Sequence, residues 1–154
     1  MSTRSEIVFY KGKKQLAKLY HHCDGYLEGV GLDLYLLAFK DLYEDKNKTM
    51  DIDWFINILQ HEINDDGYET TIYNHTDIEY QYNIQVDKYY RLSSISVVHG
   101  YNIYGKKDIY RDEREIVDVY DFEAFIKYLD RYIQSKERLK SKTLEELRKE
   151  LFEK

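Results

Sequence analysis

The hydrophobic pattern changes period several times along the chain, and each change marks an element. Residues 5–10, Ser-Glu-Ile-Val-Phe-Tyr, are rich in β-branched and aromatic types and predict a strand. Lys11-Gly12-Lys13-Lys14 predicts a turn, since Gly12 can supply the positive φ of a tight hairpin. Residues 15–21 return as a second strand, and a glycine-punctuated loop occupies 24–31. In residues 32–44, Leu34, Leu37, Ala38, Phe39 and Leu42 are too closely spaced for a narrow stripe, which predicts a helix buried on more than one side. Over about 53–63, Trp54/Ile58 and Phe55/Leu59/Ile63 recur at i, i+4. That is an amphipathic helix, capped by Asp51 or Asp53 and ended by Asn64-Asp65-Asp66-Gly67.

The second half turns to β structure. Residues 68–74 predict a short strand. In residues 78–86, Ile78, Tyr80, Tyr82, Ile84 and Val86 alternate with Glu79, Gln81, Asn83 and Gln85, a period of two with one face buried. Residues 90–98 and 115–120 predict further strands, with a long hairpin or irregular excursion over 100–115. Asp121 caps the next helix, where Phe122, Phe125, Ile126, Leu129, Tyr132 and Ile133 keep helical spacing. After Ser135 the chain is charged, and Thr143-Leu144-Glu145-Glu146 has the form of a capping box opening a short last helix. Its Leu144, Leu147 and Leu151 are expected to pack on the domain in preference to making a dimer contact. The expected fold is α+β: an antiparallel sheet of about five strands with an N-terminal hairpin, packed as one pair of layers against three to four helices. Residues 1–154 read as a single domain, with 136–154 a charged helical extension.

Composition narrows the classes. No apolar run approaches the ~20 residues that span a bilayer, and the first residues lack the apolar segment of a signal peptide. The reading is therefore a cytoplasmic protein without membrane attachment (host cytoplasm if viral). Cys23 is the only cysteine, so neither an intrachain disulfide nor a cysteine-built zinc site can form. A net charge of −6 argues against general affinity for nucleic acid. The chain has 17 tyrosines and no proline. Tyrosine suits half-buried strand faces, and a stacking surface for bases or nucleotides is the sharper alternative.

The loop Tyr20-His21-His22-Cys23-Asp24-Gly25-Tyr26-Leu27-Glu28-Gly29-Val30-Gly31, with Thr3-Arg4-Ser5 before the first strand, resembles a pattern in a family of small prokaryotic and phage proteins. There a Thr-Arg-Ser start and a strand pair lead into an Asp-Gly-Tyr-Pro-x-Gly-x-Gly loop and a helix. Glu79-Tyr80-Gln81-Tyr82 is a weaker echo, and Leu27 departs from the family's proline. The resemblance implies a shared fold and a phage, virus or mobile-element setting, and it implies no reaction.

Three glycines before a helix invite an anion, because backbone N–H groups at a helix start attract negative charge. Against this, Asp24, Glu28 and Asp33 lie in the same stretch, no lysine or arginine does, and the Gly-Lys-Ser/Thr ending of a P-loop is missing. A structural turn is the blander reading. His21, His22, Asp24 and Glu28 are candidate ligands for a metal-assisted hydrolase or nuclease, although adjacent strand histidines point to opposite faces. Cys23 beside His22 reads as an inert thiol rather than a nucleophile. The leading expectation is a non-enzymatic accessory module that needs no cofactor. It would bind a host protein or a small anionic, nucleotide-like ligand through Arg4, His22, Asp24, Gly25, Tyr26, Gly29 and Gly31. A ligand-free homodimer is the third alternative.

Overall fold

The computed structural model describes residues 3–62, 67–75, 77–104 and 114–152, with side chains of the last helix described to residue 137. Strands β1 (Ser5–Lys11), β2 (Lys14–His21), β3 (Glu69–Thr70), β4 (Tyr80–Val86), β5 (Leu92–Tyr101) and β6 (Glu115–Tyr120) form one sheet in the order β3-β2-β1-β4-β5-β6. Every neighbouring pair is antiparallel except β1 and β4, which run parallel from Ser5↔Tyr80 to Lys11↔Val86. The sheet is thus mixed and six-stranded, which corrects the expected antiparallel sheet of about five. Period-two alternation reports which face is buried and carries no information about a neighbour's direction.

Helix α1 spans residues 27–44, with π-type hydrogen bonding over Leu27–Gly31 and Tyr35–Phe39 and α-type over Leu32–Leu34 and Lys40–Glu44. It begins five residues earlier than the pattern predicts, taking Gly29 and Gly31 out of the loop and into its first turns. Helix α2 covers Ile52–Asn57 and continues through Ile58–Glu62. Asp51 is its cap, accepting from the N–H groups of Asp53 (3.0 Å) and Trp54 (3.3 Å). Helix α3 runs unbroken over Phe122–Phe152, so no interruption precedes Thr143. The capping-box and Leu144/Leu147/Leu151 side chains lie outside the described residues, as do Asn64–Asp66 and the excursion over 105–113. The short strand expected over 68–74 contracts to β3 alone.

All three helices pack on one face of the sheet. Ile7 and Phe9 of β1, Leu19 of β2, Tyr82, Ile84 and Val86 of β4, and Ile95 and Val97 of β5 meet Leu34, Phe39, Phe55, Phe125 and Leu129. Phe39 contacts Phe55, Phe122 and Phe125 edge-on.

The opposite face is polar yet partly buried. Glu6 and Lys18 lie there with side chains 0% and 2% exposed, their charges 3.9 Å apart. Tyr104 donates to Glu6 and accepts from Lys18 Nζ (3.1 Å) and Gln81 Nε2 (3.0 Å). Lys18 also donates to Asn74 Oδ1, and His75 stacks on Tyr20 at 4.1 Å. Among the described residues no helix is long and apolar enough to cross a membrane.

Tyrosine and carboxylate side chains are paired repeatedly. Tyr26 donates to Asp24, Tyr35 to Asp130, Tyr68 to Asp33, Tyr104 to Glu6 and Tyr128 to Glu28. This gives the abundant tyrosine a structural role, since a phenol buries its ring while its hydroxyl answers a carboxylate. Such pairing and burial favour the protonated phenol of Tyr26, Tyr35, Tyr104 and Tyr128. The Glu28 hydrogen bond raises Tyr128, burial raises Tyr35 and Tyr104, and burial pushes Tyr80 up to about 12. A group raised in the folded state contributes stability that is complete below its unfolded value, about 10 for tyrosine. That stability is lost as pH climbs through the folded value. The melting temperature is therefore expected to fall steadily from about pH 10 to 12, with phenolate absorbance rising together with unfolding. Full phenolate absorbance on a still-folded protein near pH 10 would refute this.

Candidate functional site

At one end of the sheet, the chain leaves β2 through the loop predicted to carry the site. Asp24 takes a left-handed backbone (φ 52°), and its carbonyl accepts from Val30 N–H at 2.9 Å. Gly25 N–H donates to Thr3 O (2.9 Å), and Gly29 and Gly31 N–H both donate to Tyr26 O (3.0 and 3.4 Å). Tyr82, buried under the loop, donates to Gly25 O at 2.7 Å. The amides of Gly25, Gly29, Val30 and Gly31 are thus engaged by backbone carbonyls.

The glycines have steric reasons to be there. A Cβ on Gly25 would come within 2.7 Å of Ser5 Cβ, and one on Gly29 within 2.0 Å of Asp24 O. Arg4 does lie beside the loop at the start of β1, but its guanidinium pairs with Asp77. His22, Asp24 and Tyr26 are exposed, whereas His21, Gly25 and Gly31 are buried. His21 Nδ1 donates to Cys23 O.

A depression of about 180 Å³ here is lined by His21, Asp24, Glu28 and Asp33. Each of these carboxylates already accepts from a tyrosine, so the pocket presents negative charge in use by the fold. Among the described residues, no group of three or more histidine, cysteine, aspartate or glutamate side chains is arranged to hold a metal ion.

A larger concavity lies at the other end, where β2, the β4–β5 turn and the start of α2 meet. It has a volume of about 460 Å³. Leu16, Ala17, Ile52 and Ile56 form its apolar wall, Asp51 and Asp53 one rim, and Tyr89 and Tyr90 the other.

The β4–β5 turn is fixed by Asp87, whose carboxylate accepts from Tyr89 N–H (2.8 Å) and Arg91 N–H (3.0 Å). Tyr90 closes the turn at φ 61°, a left-handed conformation in which glycine or asparagine is the usual occupant. Strain of order 1 kcal/mol at a non-glycine residue is compatible with a display function, because the ring is left 46% exposed. Tyr89 and Trp54 are 60% and 59% exposed. Backbone bonds from Ile52 N–H to Tyr90 O (3.0 Å) and from Leu92 N–H to Met50 O (2.8 Å) tie the turn to the α2 cap.

Cations surround these rings. Lys11 Nζ sits 4.2 Å from the Tyr90 ring centre, and Lys88 Nζ and Arg91 Cζ sit 5.0 and 5.2 Å from that of Tyr89. The site expected from sequence and this groove share no residue. Residues 11–17, 51–56 and 87–91 carry turn and capping signals but no ligand-binding motif; the one available signal is a Tyr-Tyr-Arg turn where a hairpin prefers small polar residues.

Comparison with known protein families, with curated proteins and with solved structures finds no match.

Proposed function

We propose that this chain is a non-enzymatic binding module that docks a segment of a partner protein in the groove between β2, α2 and the β4–β5 turn. The observation that carries the reading is the exposure of Tyr89 and Tyr90 on the rim of the larger concavity, beside an apolar wall. Exposed tyrosine, tryptophan and arginine around a pocket are the residue types that dominate binding energy at protein interfaces. Tyr90 supports the same reading, since a left-handed tyrosine is a poor choice for a turn with only a connecting role. The glycine loop at the far end serves as scaffold, anchoring α1 to the start of β1. The phage, virus or mobile-element setting implied by residues 3–31 belongs to this reading as a proposal about context.

The test is selection of a random peptide library against the protein, followed by counter-screening on a Tyr89→Ser/Tyr90→Asn variant. Both side chains are exposed and asparagine tolerates the left-handed turn, so the variant is expected to melt within a few degrees of the parent. Selected peptides are expected to lose most of their affinity for it. If no peptide is enriched, or the enriched ones bind both proteins equally, the docking reading is overturned. An Asp24→Ala variant, altered only in the loop, is expected to bind them unchanged.

A further inference from the structure

We propose that the segment docked in this groove is acidic, an apolar anchor residue flanked by aspartate or glutamate; this rests on the docking reading above. The chain as a whole is negative, at −6, yet this end of the sheet gathers Lys11, Lys13 and Lys14 from one turn and Lys88 and Arg91 from the other. Among the described residues, none of these five forms an ion pair with a carboxylate. The nearby acids are fewer: Asp51 caps α2 and Asp87 holds the β4–β5 turn, each accepting from backbone N–H groups, and Asp53 lines the groove beside Asp51. Five cations against these three carboxylates leave a local positive excess with no direct pairing, and an anionic partner relieves the remaining repulsion on binding.

The anion is better matched by carboxylates on a peptide than by nucleic acid. A base stacking on Tyr89 or Tyr90 would compete with the chain's own cations for the ring faces. An apolar side chain, by contrast, fits against Leu16, Ala17, Ile52 and Ile56, and its acidic neighbours would meet Lys11, Lys88 and Arg91, which sit against the rim rings of Tyr90 and Tyr89.

Three synthetic peptides that share one apolar anchor and differ only in Asp, Ser or Lys flanks provide the test, with a short oligothymidylate as a fourth probe. Fluorescence anisotropy on the full chain is expected to show the acidic peptide binding at least about tenfold more tightly than the lysine one. That affinity is expected to weaken as salt is raised and to collapse in Lys11→Glu/Arg91→Glu. Equal or reversed preference among the peptides overturns the acidic assignment and leaves docking itself standing. Tighter binding of the oligonucleotide overturns both. If none of the four binds while library-selected peptides do, the acidic assignment fails alone.

Discussion

Lys18→Met is expected to destabilise the fold by about 3–5 kcal/mol, measured by chemical denaturation. Lys18 and Glu6 are almost wholly shielded from water, and the pair is held in a network with Tyr104, Gln81, Asn74 and His75. A buried ion pair adds little net stability over an apolar substitute, but removing one partner leaves the other charge desolvated and unanswered. The lysine also tethers residues 73–75 to the sheet through Asn74 Oδ1 and Tyr73 O (3.5 Å). Adding Glu6→Gln to Lys18→Met is expected to restore a large part of the loss, because the stranded carboxylate is then gone. A Lys18→Met variant within about 1 kcal/mol of the parent would show that the network contributes no more than an ordinary surface pair.

Gly29→Ala is the second large effect, and two opposing terms decide it. In a helix, alanine outranks glycine by about 1 kcal/mol, and Gly29 lies in the first turn of α1. Against this gain, the new Cβ would stand 2.0 Å from the carbonyl oxygen of Asp24 and 3.0 Å from its carbon. Both atoms are backbone, in a residue whose carbonyl already bonds Val30, so no side-chain rotation relieves the clash. Overpacking of this kind costs about 1–3 kcal/mol when neighbours can yield, and here they cannot move without dismantling the loop. A net loss of about 3 kcal/mol is expected by thermal or chemical denaturation. Gly12→Ala is the control: nothing lies within 4 Å of its Cβ, and only the positive φ of 62° opposes it, about 1 kcal/mol. If the two variants melt alike, the Asp24 backbone yields to the new Cβ and the loop is not rigid.

Much of the architecture was legible from spacing alone. Alternation over Ile78–Val86 assigned the faces of β4 correctly: Tyr82, Ile84 and Val86 are buried among the helices. Of the two cap candidates before the apolar periodic run, Asp51 and Asp53, it is Asp51 that caps α2. What stayed hidden depended on partners distant in sequence. Nothing in residues 5–11 says that the strand pairs in parallel with 80–86, and nothing in Glu6 or Lys18 says that both are buried, because the covering groups come from residues 73–75 and 104. The glycine loop stands out in the sequence because glycine and aspartate in close succession form a recognisable local pattern. The groove is assembled from three separate segments, none distinctive alone. The start of α1 was misplaced because helix propensity counts against Gly29 and Gly31, whereas tertiary packing against Tyr82 and Asp24 decides the matter.

The parallel seam between β1 and β4 has a consequence for how the chain reaches this state. The β1–β2 and β4–β5 hairpins can each zip from their own turns, but the ladder joining them brings together segments separated by both α1 and α2. Closing that separation is an entropic cost met only once the helices cover the sheet. During synthesis, the first hairpin must wait on the ribosome with one edge open until Val86 has emerged. The rate-limiting event is therefore expected to be the docking of two preformed halves, with unfolding beginning where they part.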